Sequence, residues 1–143
     1  MGPTIGYVPG VFDLFHIGHL NALRQARDLC DVLVAGIVAD EVCEAVKGFR
    51  PFVPLEERLQ IVDSLRLVDA TYAETTTDKL DAWKQVGFHR IFKGDDWRDT
   101  PQGLALEERL ATVGVEVVYF PYTMHTSSTA LRRAIELAGE RVS

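Results

Sequence analysis

The sequence lacks the features of membrane-spanning, secreted and nucleic-acid-coating proteins. No hydrophobic run is long enough to cross a bilayer, and the N-terminus has no signal-peptide pattern. The formal net charge is −6, which argues against a surface that coats nucleic acid. The two cysteines, Cys30 and Cys43, form neither a CxxC motif nor a disulfide framework. We therefore expect a cytoplasmic protein without membrane or nucleic-acid partners.

Helical and extended patterns alternate along the 143 residues, without an internal repeat, a low-complexity tract or a linker. This length predicts one domain over residues 1–143. Continuous apolar runs are typical of strands that are covered on both faces. The predicted strands are 5–8, 31–38, 68–73, 89–93 and 115–120. The predicted helices are 18–29, 40–46, 55–67, 78–86, 101–113 and one that begins near Ser127 or Ser128.

This alternation predicts a Rossmann-like α/β domain, a doubly wound parallel sheet with helices on both faces. In such sheets, ligands bind beyond the carboxyl ends of the strands, where the strand order reverses. Segments of unusual chemistry follow four of the predicted strands, at 10–19, 40–47, 94–97 and 121–129. We expect these four segments to form one site.

The most informative segment runs from Gly10 to His19, where a strand leads through a glycine turn into a helix. His16 and His19 are three residues apart and share one face at the start of that helix. The first backbone N–H groups of a helix lack internal partners and form the positive end of its dipole. With little side chain at Gly10 and Gly18, the turn predicts a pocket for a phosphate chain. A zinc site is not favoured, because two histidines are too few and neither cysteine is placed to complete one.

Gly10-Val-Phe-Asp-Leu-Phe-His-Ile-Gly-His19 resembles the HxGH signature of the nucleotidyltransferase superfamily. Gly10-x-Phe-Asp13 resembles the cytidylyltransferase-type branch of that superfamily. Lys93-Gly-Asp-Asp-Trp97 is similar to the GDDW motif of glycerol-3-phosphate cytidylyltransferases, whereas related heptose-phosphate enzymes tend to carry a Gly-Gly-Asp-Tyr type sequence. The resemblance extends from Ile5 to about Ile135 and implies an enzyme that uses CTP.

Near the C-terminal end, Tyr122-Thr-Met-His-Thr-Ser-Ser-Thr129 resembles the family's Arg-Thr-x-x-Ile-Ser-Thr-Thr segment. Hydroxyl groups at a helix N-terminus cap the helix, and they can also hold the β- and γ-phosphates of a triphosphate. Ser127 and Thr129 keep the family pattern. Ser128 is a mild replacement, and Thr126 stands where the family has Ile. Tyr122 replaces an arginine that the family is expected to use for phosphate or acceptor, which leaves the acceptor's identity open.

The resemblance implies a role for individual residues. The implied catalytic residues are His16, His19 and Lys47. The implied nucleotide-binding residues are Gly10, Val11, Phe12, Asp13, Gly18, Gly94, Asp95, Thr126, Ser127, Ser128 and Thr129. The implied acceptor-binding residues are Arg50, Arg58, Arg66, Asp96, Trp97 and Tyr122, with Arg58 supporting either the loop or the acceptor. Mg²⁺ is the implied cofactor with Asp13 as a candidate ligand, and a homodimer is the implied assembly.

The implied reaction joins CTP to a phosphorylated small alcohol, with glycerol 3-phosphate as the first expectation, and releases pyrophosphate. The acceptor phosphate is already a nucleophile at neutral pH, so positioning and charge stabilisation are needed rather than a general base. One alternative is an adenylyltransferase that uses ATP and a sugar phosphate, because the run 47–58 resembles heptose-phosphate enzymes. A second is a cytidylyltransferase for phosphoethanolamine or a phosphonate. A third is a nucleotide-binding module that has lost catalysis.

Overall fold

Five parallel strands lie in the order β3-β2-β1-β4-β5 in the computed structural model, which describes residues 2–121 and 127–142. The strands are β1 Ile5–Gly10, β2 Val32–Val38, β3 Ala70–Glu74, β4 Arg90–Gly94 and β5 Glu116–Phe120. The helices are α1 Ile17–Arg27, α2 Asp40–Lys47, α3 Leu55–Asp63, α4 Lys79–Val86, α5 Pro101–Ala111 and α6 Ser128–Val142. The order of the strands reverses between β1 and β4, which confirms the predicted doubly wound sheet.

The largest difference between the predicted and observed elements lies in α3. The sequence predicts a helix over 55–67, but α3 ends at Asp63. The backbone N–H of Ser64 bonds to three preceding carbonyls and its Oγ donates to Ile61 O at 2.6 Å, which tightens and closes the last turn. The helix begins at Leu55 as predicted, and Pro54 is its N-cap with an extended backbone.

Two apolar clusters, one on each face of the sheet, hold the helices against it. Leu23 of α1 and Phe92 of β4 belong to the cluster on the side of α1 and α3. Leu110 of α5 and Ile91 of β4 belong to the cluster on the side of α4 and α5. Since successive residues of a strand point to opposite faces, Lys93 points to the same side as Ile91.

Gly36 in β2 makes room for a buried polar contact that crosses the sheet. A Cβ atom at this position would lie 1.9 Å from the Tyr7 hydroxyl oxygen. The Tyr7 side chain passes over β2, and its hydroxyl donates a hydrogen bond to Oε2 of Glu74 at the end of β3. Lys79 Nζ donates to Glu74 Oε1 at 2.6 Å. Both oxygens of this carboxylate are therefore bonded within the protein.

The α6 helix contributes less to the core than its sequence suggests. Ile135 and Leu137 are both exposed, at 46% and 44% of their surface. None of the helices in the described part of the chain is both long and apolar enough to span a bilayer.

Candidate functional site

A cleft of about 970 Å³ opens at the carboxyl ends of the strands, beside the reversal between β1 and β4. All four segments singled out in the sequence contribute to its lining. The predicted residues in the lining are His16, His19, Lys47, Gly10, Val11, Phe12, Asp13, Gly18, Gly94, Ser127, Ser128, Thr129, Asp96 and Trp97. Two further predicted residues, Tyr122 and Thr126, lie outside the described residues.

His16 and His19 lie together at the N-terminus of α1, with ring centroids 4.0 Å apart. His16 is the N-cap, and its Nδ1 accepts the backbone N–H of Gly18 at 3.0 Å. The Nδ1 atom of His19 accepts the backbone N–H of His16 at 3.2 Å. Because each Nδ1 is an acceptor, the proton of each neutral ring resides on Nε2. The two caps thus fix both the position of the rings and the tautomer that makes Nε2 a donor.

Both imidazoles are uncharged at neutral pH in this setting. Burial lowers the pKa of His16. Burial, and secondarily the neighbouring His16, lower the pKa of His19 to about 3. The pair therefore offers hydrogen-bond donors rather than cations. Lys47 and the helix N-termini supply positive charge on this side of the cleft.

Ser128 joins the last helix to the histidine pair. Its Oγ donates to the backbone oxygen of Asp13 at 2.7 Å and lies 3.3 Å from His16 Nε2. Since His16 Nε2 carries a proton, Ser128 Oγ is the acceptor in that contact. Ser127 Oγ accepts the backbone N–H of Ala130 at 3.1 Å and caps the same helix. The positive ends of α1 and α6 therefore face one cleft, an arrangement that suits a polyanion.

Asp13 is buried and supports the loop between α2 and α3. Its two oxygens accept the backbone N–H groups of Phe52 at 2.9 Å and Val53 at 3.0 Å. The Arg132 guanidinium on α6 donates to the same carboxylate at 2.8 Å. The negative charge is thus balanced inside the protein, and this geometry does not favour Asp13 as a magnesium ligand.

A magnesium site built by the protein alone is not seen in the described ranges, 2–121 and 127–142. No group of three or more His, Cys, Asp or Glu side chains converges there. Two carboxylates that line the cleft, Asp13 and Glu74, each bond a cationic side chain of the protein. Magnesium commonly binds through substrate phosphates, so it stays a prediction of the resemblance.

Arg132 is a cleft residue that the sequence analysis missed. Its guanidinium carbon lies 4.0 Å from the ring centroid of Phe49 and 4.2 Å from that of Phe52. Through these two rings and its ion pair with Asp13, Arg132 holds the loop after α2 against the last helix. The available signal was its spacing from Ser128, because residues four apart share a helix face.

Lys79 and Lys93 are two further cleft residues that were not predicted. Lys79 pairs with Glu74, as described above. Lys93 Nζ lies 3.8 Å above the ring of Trp97. Burial, followed by repulsion from Lys79, lowers the pKa of Lys93 to about 8. The sequence signal for Lys93 was its place at the carboxyl end of a buried strand.

Arg58 lies beneath the loop, which corrects the expectation that it contacts the acceptor. Its side chain is fully buried. It donates at 2.7 Å to the carbonyl oxygens of Val11, Val38 and Val53, and it pairs with Asp40. These contacts join the ends of β1 and β2 to the loop. Arg58 therefore has the supporting role that the resemblance also implied.

Three other predicted side chains do not line the cleft. Arg50 is exposed and donates to Glu44 at 2.8 Å, because the last turn of α2 places that carboxylate beside it. Arg66 is exposed on the segment that enters the N-terminal end of β3, the opposite edge of the sheet. The side chain of Asp95 pairs with Arg98 at 2.9 Å on the surface. These placements do not support the acceptor role of the two arginines or the nucleotide role of the Asp95 carboxylate, which stay predictions.

A family model described as cytidylyltransferase-like matches residues 7–134. The chain is 42% identical over 106 residues to ethanolamine-phosphate cytidylyltransferase from Arabidopsis thaliana, covering 71% of this chain and 25% of that protein. It is 30% identical over 128 residues to FAD synthase from Thermococcus sibiricus, covering 89% and 86% respectively. It is 31% identical over 131 residues to the bifunctional protein HldE from Hyphomonas neptunium, covering 91% and 26%. The chain thus spans about a quarter of the first and third relatives and most of the second.

Solved structures share the fold. The lipopolysaccharide core biosynthesis protein from Thermoplasma volcanium aligns with a TM-score of 0.73 at 22% identity, covering 87% of this chain and 100% of that one. Pantothenate synthetase from Thermus thermophilus aligns with a TM-score of 0.64 at 18% identity, covering 85% and 57% respectively. These alignments confirm the Rossmann-like α/β class.

Proposed function

This chain belongs to the cytidylyltransferase-like family of nucleotidyltransferases, and we propose that it transfers CMP from CTP to the phosphate of a small phosphorylated alcohol. An acceptor phosphate oxygen forms a bond to the α-phosphorus of CTP. The bond from that phosphorus to the oxygen bridging to the β-phosphate breaks, and its electron pair leaves with pyrophosphate. The products are a CDP-alcohol and pyrophosphate.

The observation that carries the proposal is the position of the paired histidines. Two Nε2 donors, fixed by backbone caps, lie in the same cleft as Lys47 and the first turn of α6. Phosphoryl-type transfers need positioned donors around the reacting phosphate more than they need covalent catalysis. Donors that are already oriented stabilise the charge that develops in the transition state without reorganisation. His16 and His19 are placed to act in this way on the α-phosphate and the bridging oxygen.

Two anions have to meet for this reaction, and cationic groups in the cleft offset their repulsion. Lys47 ends α2 and lines the cleft near His19, whose pKa its charge also lowers. Ser127, Ser128 and Thr129, at the N-terminus of α6, would hold the β- and γ-phosphates through hydroxyl and backbone N–H groups. The acceptor phosphate needs no general base, and the neutral state of the two imidazoles is consistent with this.

A second candidate is nucleotide transfer from ATP. It is favoured by the match to an FAD synthase, which covers 86% of that relative's length. The choice between CTP and ATP is open to direct test.

The test is pyrophosphate release by the purified chain, measured with CTP and with ATP against a panel of acceptors. The panel contains glycerol 3-phosphate, phosphoethanolamine and a heptose phosphate. We expect release that depends on CTP and on at least one acceptor, and a loss of release in the His16→Ala variant. Release with ATP alone would favour the second candidate, and tight CTP binding without any turnover would favour a binding module.

Two predictions from the resemblance are tested in the same preparation. Addition of EDTA should abolish turnover if magnesium is required. Light scattering coupled to size exclusion should give twice the mass of 16.0 kDa if the chain forms a homodimer.

A further inference from the structure

One side of the cleft is lined by residues from the ends of β3 and β4 and the segments that follow them. We call Thr76, Thr77, Lys79, Lys93 and Trp97 the lysine wall, and all five line the cleft. The wall lies on the face of the sheet covered by α4 and α5. The histidine pair and Ser128 lie on the other side, with α1 and α6.

The two lysines of the wall differ in their partners. Lys79 donates to Glu74 at 2.6 Å, and the second oxygen of that carboxylate accepts from Tyr7. The charge of Glu74 is therefore already used inside the protein and is not available to a cationic ligand. Its role is to hold Lys79 against the end of the sheet.

The setting of Lys93 differs from that of Lys79. Within residues 2–121 and 127–142, its ammonium makes no hydrogen bond or ion pair, and its described contact is the face of the Trp97 ring at 3.8 Å. Asp96 also lines the cleft, and its negative charge attracts that of Lys93. Because Lys93 lines the cleft and an ammonium carries three N–H donors, it can donate to a ligand that fills the cleft.

The geometry of transfer decides which substrate meets this wall. The attacking and leaving oxygens lie roughly in line across the α-phosphorus. If the triphosphate occupies the side of the histidines and α6, the acceptor enters from the opposite side, where the lysine wall lies. The acceptor phosphate is directed toward the histidine pair, so the remote end of the acceptor faces Lys93.

We propose that Lys93 selects acceptors whose remote end carries oxygen, a hydroxyl or a carboxylate, and rejects acceptors that end in an ammonium group. This inference rests on the proposed function and names its substrate class. An oxygen atom accepts a hydrogen bond from the Lys93 ammonium. An ammonium group has donors only, and it would place two like charges together in a site of reduced solvent access.

The experiment compares three acceptors that share the phosphate and differ at the other end. These are glycerol 3-phosphate, 3-phosphoglycerate and phosphoethanolamine, assayed with saturating CTP. For the native chain we expect kcat/KM to be at least about tenfold higher for both oxygen-ended acceptors than for phosphoethanolamine, the scale of one charge-assisted hydrogen bond. A preference for phosphoethanolamine would overturn the inference.

Substitutions of Lys93 test whether this residue causes the preference for oxygen-ended acceptors. Lys93→Met keeps the length of the side chain and its packing on Trp97, and Lys93→Gln provides a second uncharged variant. Each should lower kcat/KM for the oxygen-ended acceptors about tenfold while changing KM for CTP less than twofold. Lys84→Met is the matched control, because Lys84 is an exposed lysine on α4 that does not line the cleft. The assignment is contradicted if the variants keep the native ratio of kcat/KM between acceptors, or if only KM for CTP changes.

Calorimetry separates failure of the inference from failure of the proposed function. If no acceptor supports CTP-dependent release, the proposed function fails. Binding of 3-phosphoglycerate to the native chain can still be titrated, and Lys93→Met should weaken it about tenfold. Absence of binding to the native chain, or equal binding to both proteins, overturns the role of Lys93.

Discussion

Arg132 and Asp13 form an ion pair at 2.8 Å that joins the last helix to the loop after the first strand, across 119 residues of sequence. The same carboxylate accepts the backbone N–H groups of Phe52 and Val53. The pair therefore connects α6, which carries the serine-rich turn, to the loop that follows Lys47. One carboxylate thus bonds both the helix proposed to hold the triphosphate and the loop beside it.

Replacement of Arg132 should loosen that loop. Arg132→Met removes the cation beside a buried carboxylate and the plane that stacks on Phe49, which should cost about 3 kcal/mol of unfolding free energy. We expect kcat to fall at least about tenfold, because a small misplacement of a loop at a reacting centre is costly. Urea unfolding and steady-state kinetics measure the two effects.

The neighbouring Arg133→Met variant is the control, since Arg133 is exposed on the same helix. Arg132→Lys should recover part of the stability through the ion pair with Asp13. It should not recover the stacking on Phe49, because a lysine ammonium is not planar. Equal behaviour of the Arg132→Met and Arg133→Met proteins would show that the ion pair does not position the loop.

The histidine pair should be required for turnover rather than for folding. His16→Ala and His19→Ala should each lower kcat by two or more orders of magnitude, the usual loss when one positioned donor is removed. Each change also removes a helix cap, at a cost of about 1 kcal/mol. His89→Ala separates the two effects, because His89 Nδ1 accepts the backbone N–H of Ile5 at 3.0 Å at the opposite edge of the sheet. Near-native turnover in purified His16→Ala would remove that residue from the mechanism.

Lys47 should act on the transition state more than on substrate binding. Lys47→Ala is expected to lower kcat about a hundredfold while KM for CTP changes little, because the charge is needed where the two phosphates meet. Lys84→Ala serves as the control for loss of an exposed lysine. A rise in KM for CTP at constant kcat would instead show that Lys47 binds the nucleotide equally in the ground state and in the transition state.

The buried state of His19 should make folding stability fall in acid. The unfolded chain takes up a proton near the ordinary pKa of 6.5, whereas burial holds the folded pKa at about 3. Between these values the unfolded state binds more protons, so this residue lowers stability as pH falls, by up to about 1.4 kcal/mol per pH unit. Urea unfolding from pH 7 to pH 4 should show a shallower fall for His19→Gln than for the native chain. An identical fall in the two proteins would contradict the buried, neutral state of His19.

The strands, the helices and the edge of the sheet that carries the cleft could be predicted because they follow from local patterns. Apolar runs, glycines at the ends of helices, and the alternation of helical and extended patterns can be recognised along the chain without knowledge of distant partners. The position of α3 shows the limit of this reading. Its apolar spacing continues beyond Asp63, but the bonds of Ser64 close the helix there.

The charged residues could not be assigned in this way. Arg58 and Arg66 carry the same side chain, yet one is buried beneath the loop against three carbonyls and the other is exposed at the opposite edge of the sheet. Nothing local in the sequence separates them, because the partners of Arg58 come from the ends of two strands and from the loop itself.

The sequence by itself determined the class of fold and the glycine turn with its two histidines, because strand, glycine turn and helix cap are neighbours along the chain. Only the tertiary structure decided which charges remain for substrates. Asp13, Glu74 and Arg58 are bonded within the protein, whereas Lys93 meets the cleft over Trp97. The physical reason is that a charge is neutralised by whatever lies within a few ångströms of it, and in this fold those groups come from distant parts of the chain.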